Sequence, residues 1–335
     1  MQAVTLILAS LAIATASFEP NASGYAKWAR THNRVEKPSV TQLRSFIENV
    51  EFVRQHNNDK SRTWTAELNQ YGDMTAKEFK EKILMNSPYV MDNKMQNHNA
   101  HKKPIVKLKD TPKSFDWKGT GAVTPVQDQG FVGTCWAFSS VGNIEGQYYQ
   151  ATNTTMKLSE EYFVDCDGTA DTVLNHADCS IFGGWPYIAY QFATTSGGVP
   201  TEESYPYCAG TGECYPCMKG PENLCGPPPY YCDREERNQL CSNEKPVAFV
   251  KDWRSVSTDE TEITSDLYQT GPLSVLLNAA TLQHYKSGVW DGGKFCNPAG
   301  LDHAVLLTGY GNDDTSGIDY WNIKNSWGPK WGEDG

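Results

Sequence analysis

The chain has 335 residues, 29 basic against 40 acidic side chains and a formal charge of -11. That balance excludes a basic surface of the kind that binds nucleic acid, and beyond the N-terminus no run is apolar enough to cross a bilayer. Ten cysteines make redox compartment and pairing the first question.

Residues 3–14 are apolar, at about a dozen residues too short to span a membrane, and Ala14-Thr15-Ala16 is a small-x-small cleavage site. Residues 1–16 therefore read as a signal peptide. This predicts the secretory pathway, with a lysosomal or extracellular product in a compartment where thiols pair. From 25 to 57 the spacing is helical: Tyr25 and Trp28 share a face, and Leu43, Phe46, Ile47, Val50 and Val53 recur at three- and four-residue intervals. Pro38 divides this run into two amphipathic helices. Residues 86–109 are polar and lack periodicity, as in an exposed linker open to proteolysis. Asn21-Ala22-Ser23 and Asn153-Thr154-Thr155 are N-glycosylation acceptors in a secreted eukaryotic chain.

In Gln129-Gly130-Phe131-Val132-Gly133-Thr134-Cys135-Trp136-Ala137-Phe138-Ser139 a lone cysteine sits between a glycine-containing turn and a helix-compatible run. The helix is predicted to start at Cys135, with Ala137, Phe138, Val141 and Ile144 as its buried stripe. A helix N-terminus stabilises a thiolate, so Cys135 reads as a nucleophile. The side-chain amide of Gln129 and the backbone N–H of Cys135 can converge as an oxyanion hole. A second helix runs from Leu158 toward Cys166, and strand-like runs follow at 247–250, 273–277, 304–307 and 320–323. Beside the third run His303 can serve as the base. Asn325 can accept from the imidazole and fix its tautomer, and Trp327 can shield that bond from water.

Gln129, Cys135-Trp136, Asp302-His303-Ala304 and Asn325-Ser326-Trp327-Gly328, in this order and at these separations, resemble the papain family of cysteine proteases, closest to its cathepsin L type. The resemblance runs from about Tyr25 to the last residue. It implies an α+β fold of two lobes, one helical and one β-barrel-like, preceded by a small helical inhibitory prodomain. The expected division is signal peptide 1–16, prodomain and linker 17–110, and peptidase domain 111–335, with cleavage near 108–111. Phe46, Asn49, Val53 and Asn57 stand where the family's propeptides carry Phe, Asn, Ile and Asn, and Asn69, Tyr71 and Asp73 resemble their second motif. By the same resemblance Trp185, Pro186, Leu276, Leu301 and Ala304 line the pocket for the side chain two residues before the cleaved bond (P2). All are apolar, which predicts a bulky apolar residue there, and Gly183-Gly184 would bind the peptide as an added strand. The resemblance implies protein and peptide substrates, the chain's own prodomain as inhibitor, a monomer, and no cofactor, metal, nucleic acid or membrane partner.

Several positions depart from the family pattern. Pro38 and Gln42 replace the Glu and Arg that open the first propeptide motif, and Glu67 stands where glycine is usual. Val132 replaces the usual partner of Cys179. A segment rich in Cys, Pro and Gly at 208–241 adds Cys208, Cys214, Cys217, Cys225, Cys232 and Cys241, which with Cys166 and Cys179 allow four disulfides. Cys214-Tyr215-Pro216-Cys217 also suits zinc, although secretion favours pairing. The insert lacks histidine, so it offers no paired-His clamp for a substrate C-terminus, and endopeptidase activity is expected. The resemblance further implies a strand and the partner of Cys296 beyond Gly335, so the sequence is expected to be a fragment. The competing reading is a non-catalytic papain-like binding or inhibitory protein; it predicts a lost catalytic residue, and none is lost.

Overall fold

The structure, a computed structural model, describes residues 18–85, 111–211, 220–225, 241–292, 297, 300–314 and 316–335. The signal peptide, the linker and most of the Cys-rich insert lie outside them.

Two helices open the described chain, α1 (Ala22–Thr31) and α2 (Val40–Asn58), on either side of Pro38 as their periodicity predicts. Asn21 caps α1 through Gly24 N–H. Ser39 and Gln42 cap α2 reciprocally, satisfying donors that a helix start leaves open. Tyr25, Trp28, Phe46, Val50 and Leu68 form one buried core. A short strand β1 (Trp64–Ala66) and helix α3 (Ala76–Lys82) complete this unit. The buried carboxylate of Asp73 ties it together: it accepts from Tyr25 Oη at 3.2 Å, Arg34 Nη2 at 2.8 Å and Gln42 Nε2 at 3.0 Å. Gln42 stands where the propeptide motif has arginine, and Arg34 supplies the positive charge instead.

Beyond residue 110 come β2 (Phe115–Asp116) and the long helix α4 (Cys135–Thr152), which starts where the sequence predicts. Next are α5 (Glu160–Cys166), a hairpin of β3 (Ala170–Asp171) and β4 (His176–Ala177), and α6 (Pro186–Thr195). Ala137, Val141, Phe163 and Ala189 join α4, α5 and α6 in one core. After α7 (Glu222–Cys225) and α8 (Glu260–Thr270), a sheet forms from β5 (Leu273–Leu277), β7 (His303–Asn312) and β8 (Asp319–Lys324). Strand β7 is central. It pairs antiparallel with β5 and then β2 along one edge, and with β8 along the other. The run 247–250 does not form the expected strand. It makes a single bridge, Val199 to Ala248, because Pro200 follows Val199 and has no N–H to extend a ladder.

The first unit docks on the sheet lobe. Strand β1 pairs with β6 (Tyr285–Gly288), and Tyr71, Met74, Phe79, Ile83 and Leu84 share a buried cluster with Ala279, Leu282, Trp327 and Trp331. Neither β1 nor β6 is long enough to show a period, so the sequence gives no signal for them. Glu67 does two jobs in place of the usual glycine: its N–H donates to His284 O at 2.8 Å, and its carboxylate pairs with Lys286 at 3.0 Å. Two disulfides staple the helical lobe, Cys166–Cys241 and Cys179–Cys225, and Cys208 is also paired. Cys179 thus takes its partner from the insert in place of the missing cysteine at 132. Cys214, Cys217, Cys232 and Cys296 lie outside the described residues.

Removing the Asp73 carboxylate should strand a partly buried arginine. In a Cys135→Ala chain, Asp73→Ala is expected to cost about 3–5 kcal/mol in urea unfolding of the first unit, and Asp73→Asn less. A second expectation concerns pH. His284 is buried beside Phe52 of α2, at 5.8 Å between ring centroids. Burial lowers its pKa from 6.5 to about 4, only partly opposed by the neighbouring Glu67 backbone. Undocking returns the ring to water, so between these values the undocked form takes up a proton that the docked form does not. Docking is then undiminished above the higher value and weakens as the pH falls toward the lower. The affinity of the first unit for the sheet lobe, measured from about pH 7 to about pH 4, should fall, and His284→Leu should flatten that fall.

Candidate active site

Cys135 is the first residue of α4 and fully buried. Thr134 precedes it without a side-chain cap; the Ala137 N–H is taken by Thr134 O at 2.9 Å, and the Cys135 and Trp136 N–H groups are left to the sulfur and whatever lies against it. Ala304 shares a buried cluster with Cys135, and its backbone N–H favours the ionised form of the thiol. That contact brings the start of β7, and with it His303, to the start of α4. The His303 Nε2 lies 2.7 Å from Asn325 Oδ1, leaving Nδ1 buried and without a partner among the described residues. With Asn325 accepting, Nε2 carries the proton and Nδ1 is the free base. Asn325 is itself held, since its Oδ1 accepts from Ser326 N–H at 2.8 Å and its N–H donates to Gly335 O at 2.9 Å. The Trp327 indole stacks on the imidazole at 4.7 Å and 25°.

Gln129 is likewise fixed. Its Oε1 accepts from Ser326 Oγ at 2.6 Å, which turns Nε2 toward Val132 O at 2.7 Å and Ile83 O at 2.8 Å. Ile83 follows α3 ahead of residue 111, so a carbonyl of that segment already lies on the amide predicted to receive an oxyanion. The next residues continue through the site. A Cβ on Gly133 would come within 3.1 Å of Leu84 O, and Met85 N–H donates to Asp302 O at 2.8 Å. Sequence reasoning missed Ile83-Leu84-Met85. The available signal was an apolar run directly after the capped helix α3.

The electrostatics reverse one expectation. Burial pushes the Cys135 thiol from 9.0 up to about 12, with the Ala304 N–H opposing and the Asp302 charge adding to the rise. Burial likewise lowers His303 to about 4, against the pull of Asn325. The rise at sulfur corresponds to about 4 kcal/mol against the thiolate, more than the ~1 kcal/mol a helix N-terminus returns. With this segment in place burial therefore favours a neutral thiol and a neutral imidazole over the predicted thiolate.

The predicted binding residues fall on two walls. On the helical wall Trp185 caps α6 and Pro186 is its first residue, where a missing N–H costs nothing. The Trp185 N–H donates to Asp178 Oδ1 at 2.6 Å. Gly183 has φ +130 and spends its carbonyl on Cys179 N–H at 2.8 Å. At Gly184 a Cβ would meet Asp178 Oδ1 at 2.5 Å and the Trp136 ring at 2.6 Å, so only glycine fits. On the sheet wall Leu276 pairs directly with Ala304, and Leu301 lies two residues before His303. Met85 shares a buried cluster with Cys135 and Ala304, against which Leu276 packs. Among the described residues no group of three His, Cys, Asp or Glu is placed to hold a metal, and no helix is long and apolar enough to cross a membrane.

A nucleophile, a base, an orienting amide and a blocked oxyanion donor suit acyl transfer held in check. Residues 111–335 match the papain family cysteine proteases, and residues 25–79 match the cathepsin propeptide inhibitor domain. Procathepsin L of Felis catus is 33% identical over 98% of this chain and 92% of that protein. Cysteine proteinase 15A of Pisum sativum is 36% identical over 87% of this chain and 73% of that protein. Among solved structures, digestive procathepsin L 3 of the Tenebrio molitor larval midgut superposes with a TM-score of 0.71 at 29% identity, covering 93% and 91% of the two chains. The recombinant stem bromelain precursor does so with a TM-score of 0.71 at 27% identity, covering 95% and 91%. The chain belongs to the papain family of cysteine proteases and, with a cathepsin-type inhibitor domain ahead of its peptidase domain, is a cysteine endopeptidase made as a zymogen.

Proposed function

We propose that Cys135, His303, Asn325 and Gln129 carry the chemistry, and that the prodomain silences them by burial and by occupying the oxyanion donor. The observation that carries this reading is the Ile83 carbonyl on Gln129 Nε2. Once the prodomain leaves, water reaches the pair and the cost of charging it falls. The Cys135 proton passes to His303 Nδ1, and the thiolate attacks the scissile carbonyl. Gln129 Nε2 and the Cys135 N–H receive the oxygen as it becomes negative. His303 then protonates the leaving amine, giving a thioester on Sγ and a released C-terminal fragment. A water that gives its proton to His303 cleaves the thioester and restores the thiol. Asn325 keeps Nδ1 aimed throughout.

Processing within 108–111 would free the mature enzyme. Trp185, Pro186, Leu276, Leu301 and Ala304 would receive a bulky apolar P2 side chain, a reading supported by Met85 lying in the same cluster as Ala304. Gly184 would bind the peptide backbone. The assignment extends to a monomer in the secretory route, lysosomal or extracellular, with no nucleic acid or membrane partner. Asn153, at the exposed end of α4, is a suitable glycan site.

The test is acid processing of the proenzyme with reductant and a thiol-alkylating epoxide, followed by peptide mapping. Label on Cys135, appearing together with loss of the segment before about residue 111, is expected; a folded, processed chain that stays unlabelled would return the non-catalytic reading. Gln129→Ala should lower kcat about 10²- to 10³-fold. A P2 panel should favour Leu or Phe, and faster cleavage with Arg at P2 would overturn the pocket assignment.

A further inference from the structure

The wall that carries Trp185 rests on a feature the proposed chemistry does not use. Between Cys166 and Cys179 the chain makes the β3–β4 hairpin, with Asp171 opposite His176. The His176 imidazole is buried and stacks on the Trp185 indole at 4.0 Å with only 13° between planes. Its Nδ1 lies 2.9 Å from Tyr187 Oη, and that hydroxyl donates to Asp171 Oδ2 at 3.3 Å. Because the hydroxyl proton points at Asp171, Nδ1–H is the donor in the first bond, and the ring has a defined orientation. Two residues on, Asp178 holds the Trp185 N–H. The hairpin therefore grips Trp185 twice, by its ring and by its backbone.

This grip lies beside the reacting sulfur. The loop after the hairpin accepts from Gly133 N–H at Ile181 O, 2.7 Å, and from Trp136 Nε1 at Ser180 O, 3.0 Å. Both ends of the hairpin are tied down, through Cys166–Cys241 and Cys179–Cys225. One face of the indole is taken by His176.

We propose that His176 is a positioning residue for P2 selectivity: stacked under Trp185 and oriented by Tyr187 and Asp171, it sets the indole plane and so the depth of the pocket. The inference rests on the assignment of Trp185 to the P2 pocket. His176 touches no reacting atom, so its loss should move selectivity and not the reactivity of Cys135.

The test compares His176→Ala, His176→Phe and Tyr187→Phe with the natural sequence, each expressed as the full proenzyme and processed in acid. Two quantities are read: kcat and KM for peptides with Phe, Leu, Val or Arg at P2, and the rate at which iodoacetamide, which has no P2 group, alkylates Cys135. His176→Ala should change the Phe-to-Val ratio of kcat/KM about tenfold, mainly through KM, with alkylation within about twofold of the parent. His176→Phe keeps a flat ring under the indole and should recover most of the ratio. Tyr187→Phe should move it in the same direction by less. An unmoved P2 profile in His176→Ala overturns the proposal, as does a fall in alkylation equal to the fall in kcat/KM, or a loss in His176→Phe as large as in His176→Ala. If His176→Ala does not fold, an unmoved profile in Tyr187→Phe overturns it alone. The parent's own profile tests the pocket assignment, whereas the shift between parent and variant tests His176, so the two failures are distinct.

Discussion

Helix α4 and strand β7 meet along a seam that fixes where the rest of the enzyme can lie. Ser139 Oγ bonds Val305 O at 2.8 Å and Ser274 Oγ at 2.6 Å, so one turn of the helix is held against both β7 and β5. Cys135 begins that helix and His303 begins that strand. A rigid helix and a rigid strand held in this register bring their two ends together without help from a loop. The β7–β8 pairing then delivers Asn325 to the far side of the imidazole, just past the last strand residue.

Latency has a simple physical basis here. The prodomain does not displace the residues proposed to act: His303 and Asn325 are already bonded, and Gln129 is already held by Ser326. What it changes is solvation. Ile83-Leu84-Met85 lie across the site and water is excluded, and in that medium a thiolate and an imidazolium cost more than neutral partners. The same exclusion of water keeps His284 neutral under the docked strand. Charge that is unwelcome in the closed form becomes welcome when the form opens: at His284 opening takes up a proton and so responds to acid, whereas at the active site a proton only moves from Cys135 to His303.

The insert also has a structural consequence. A papain-like enzyme without a cysteine at 132 would leave Cys179 free, yet Cys225 closes that bond and Cys241 closes another on Cys166. Both bonds flank the hairpin that carries His176. Cross-links that shorten the free path of a loop restrict its motion most where the loop has little core of its own, and this hairpin has two residues per strand.

Much of this was legible from the residues alone. The first two helices, the start of α4 at Cys135 and the span of β5 follow from period and residue type, and the chemistry each side chain can perform suggests the roles proposed for His303, Asn325 and Trp327. These are local properties or properties of residue type, and a single chain displays them. The docking strands β1 and β6, the failure of 247–250 to become a strand, the partner of Cys179, and the carbonyl of Ile83 on Gln129 were not legible. Each depends on a contact between segments far apart in sequence, where short strands have no period to read and a disulfide partner is chosen by geometry. The protonation state of Cys135 belongs with them. A helix N-terminus predicts a thiolate, but burial by a distant segment outweighs it, because solvation is a property of the whole fold and not of the residue.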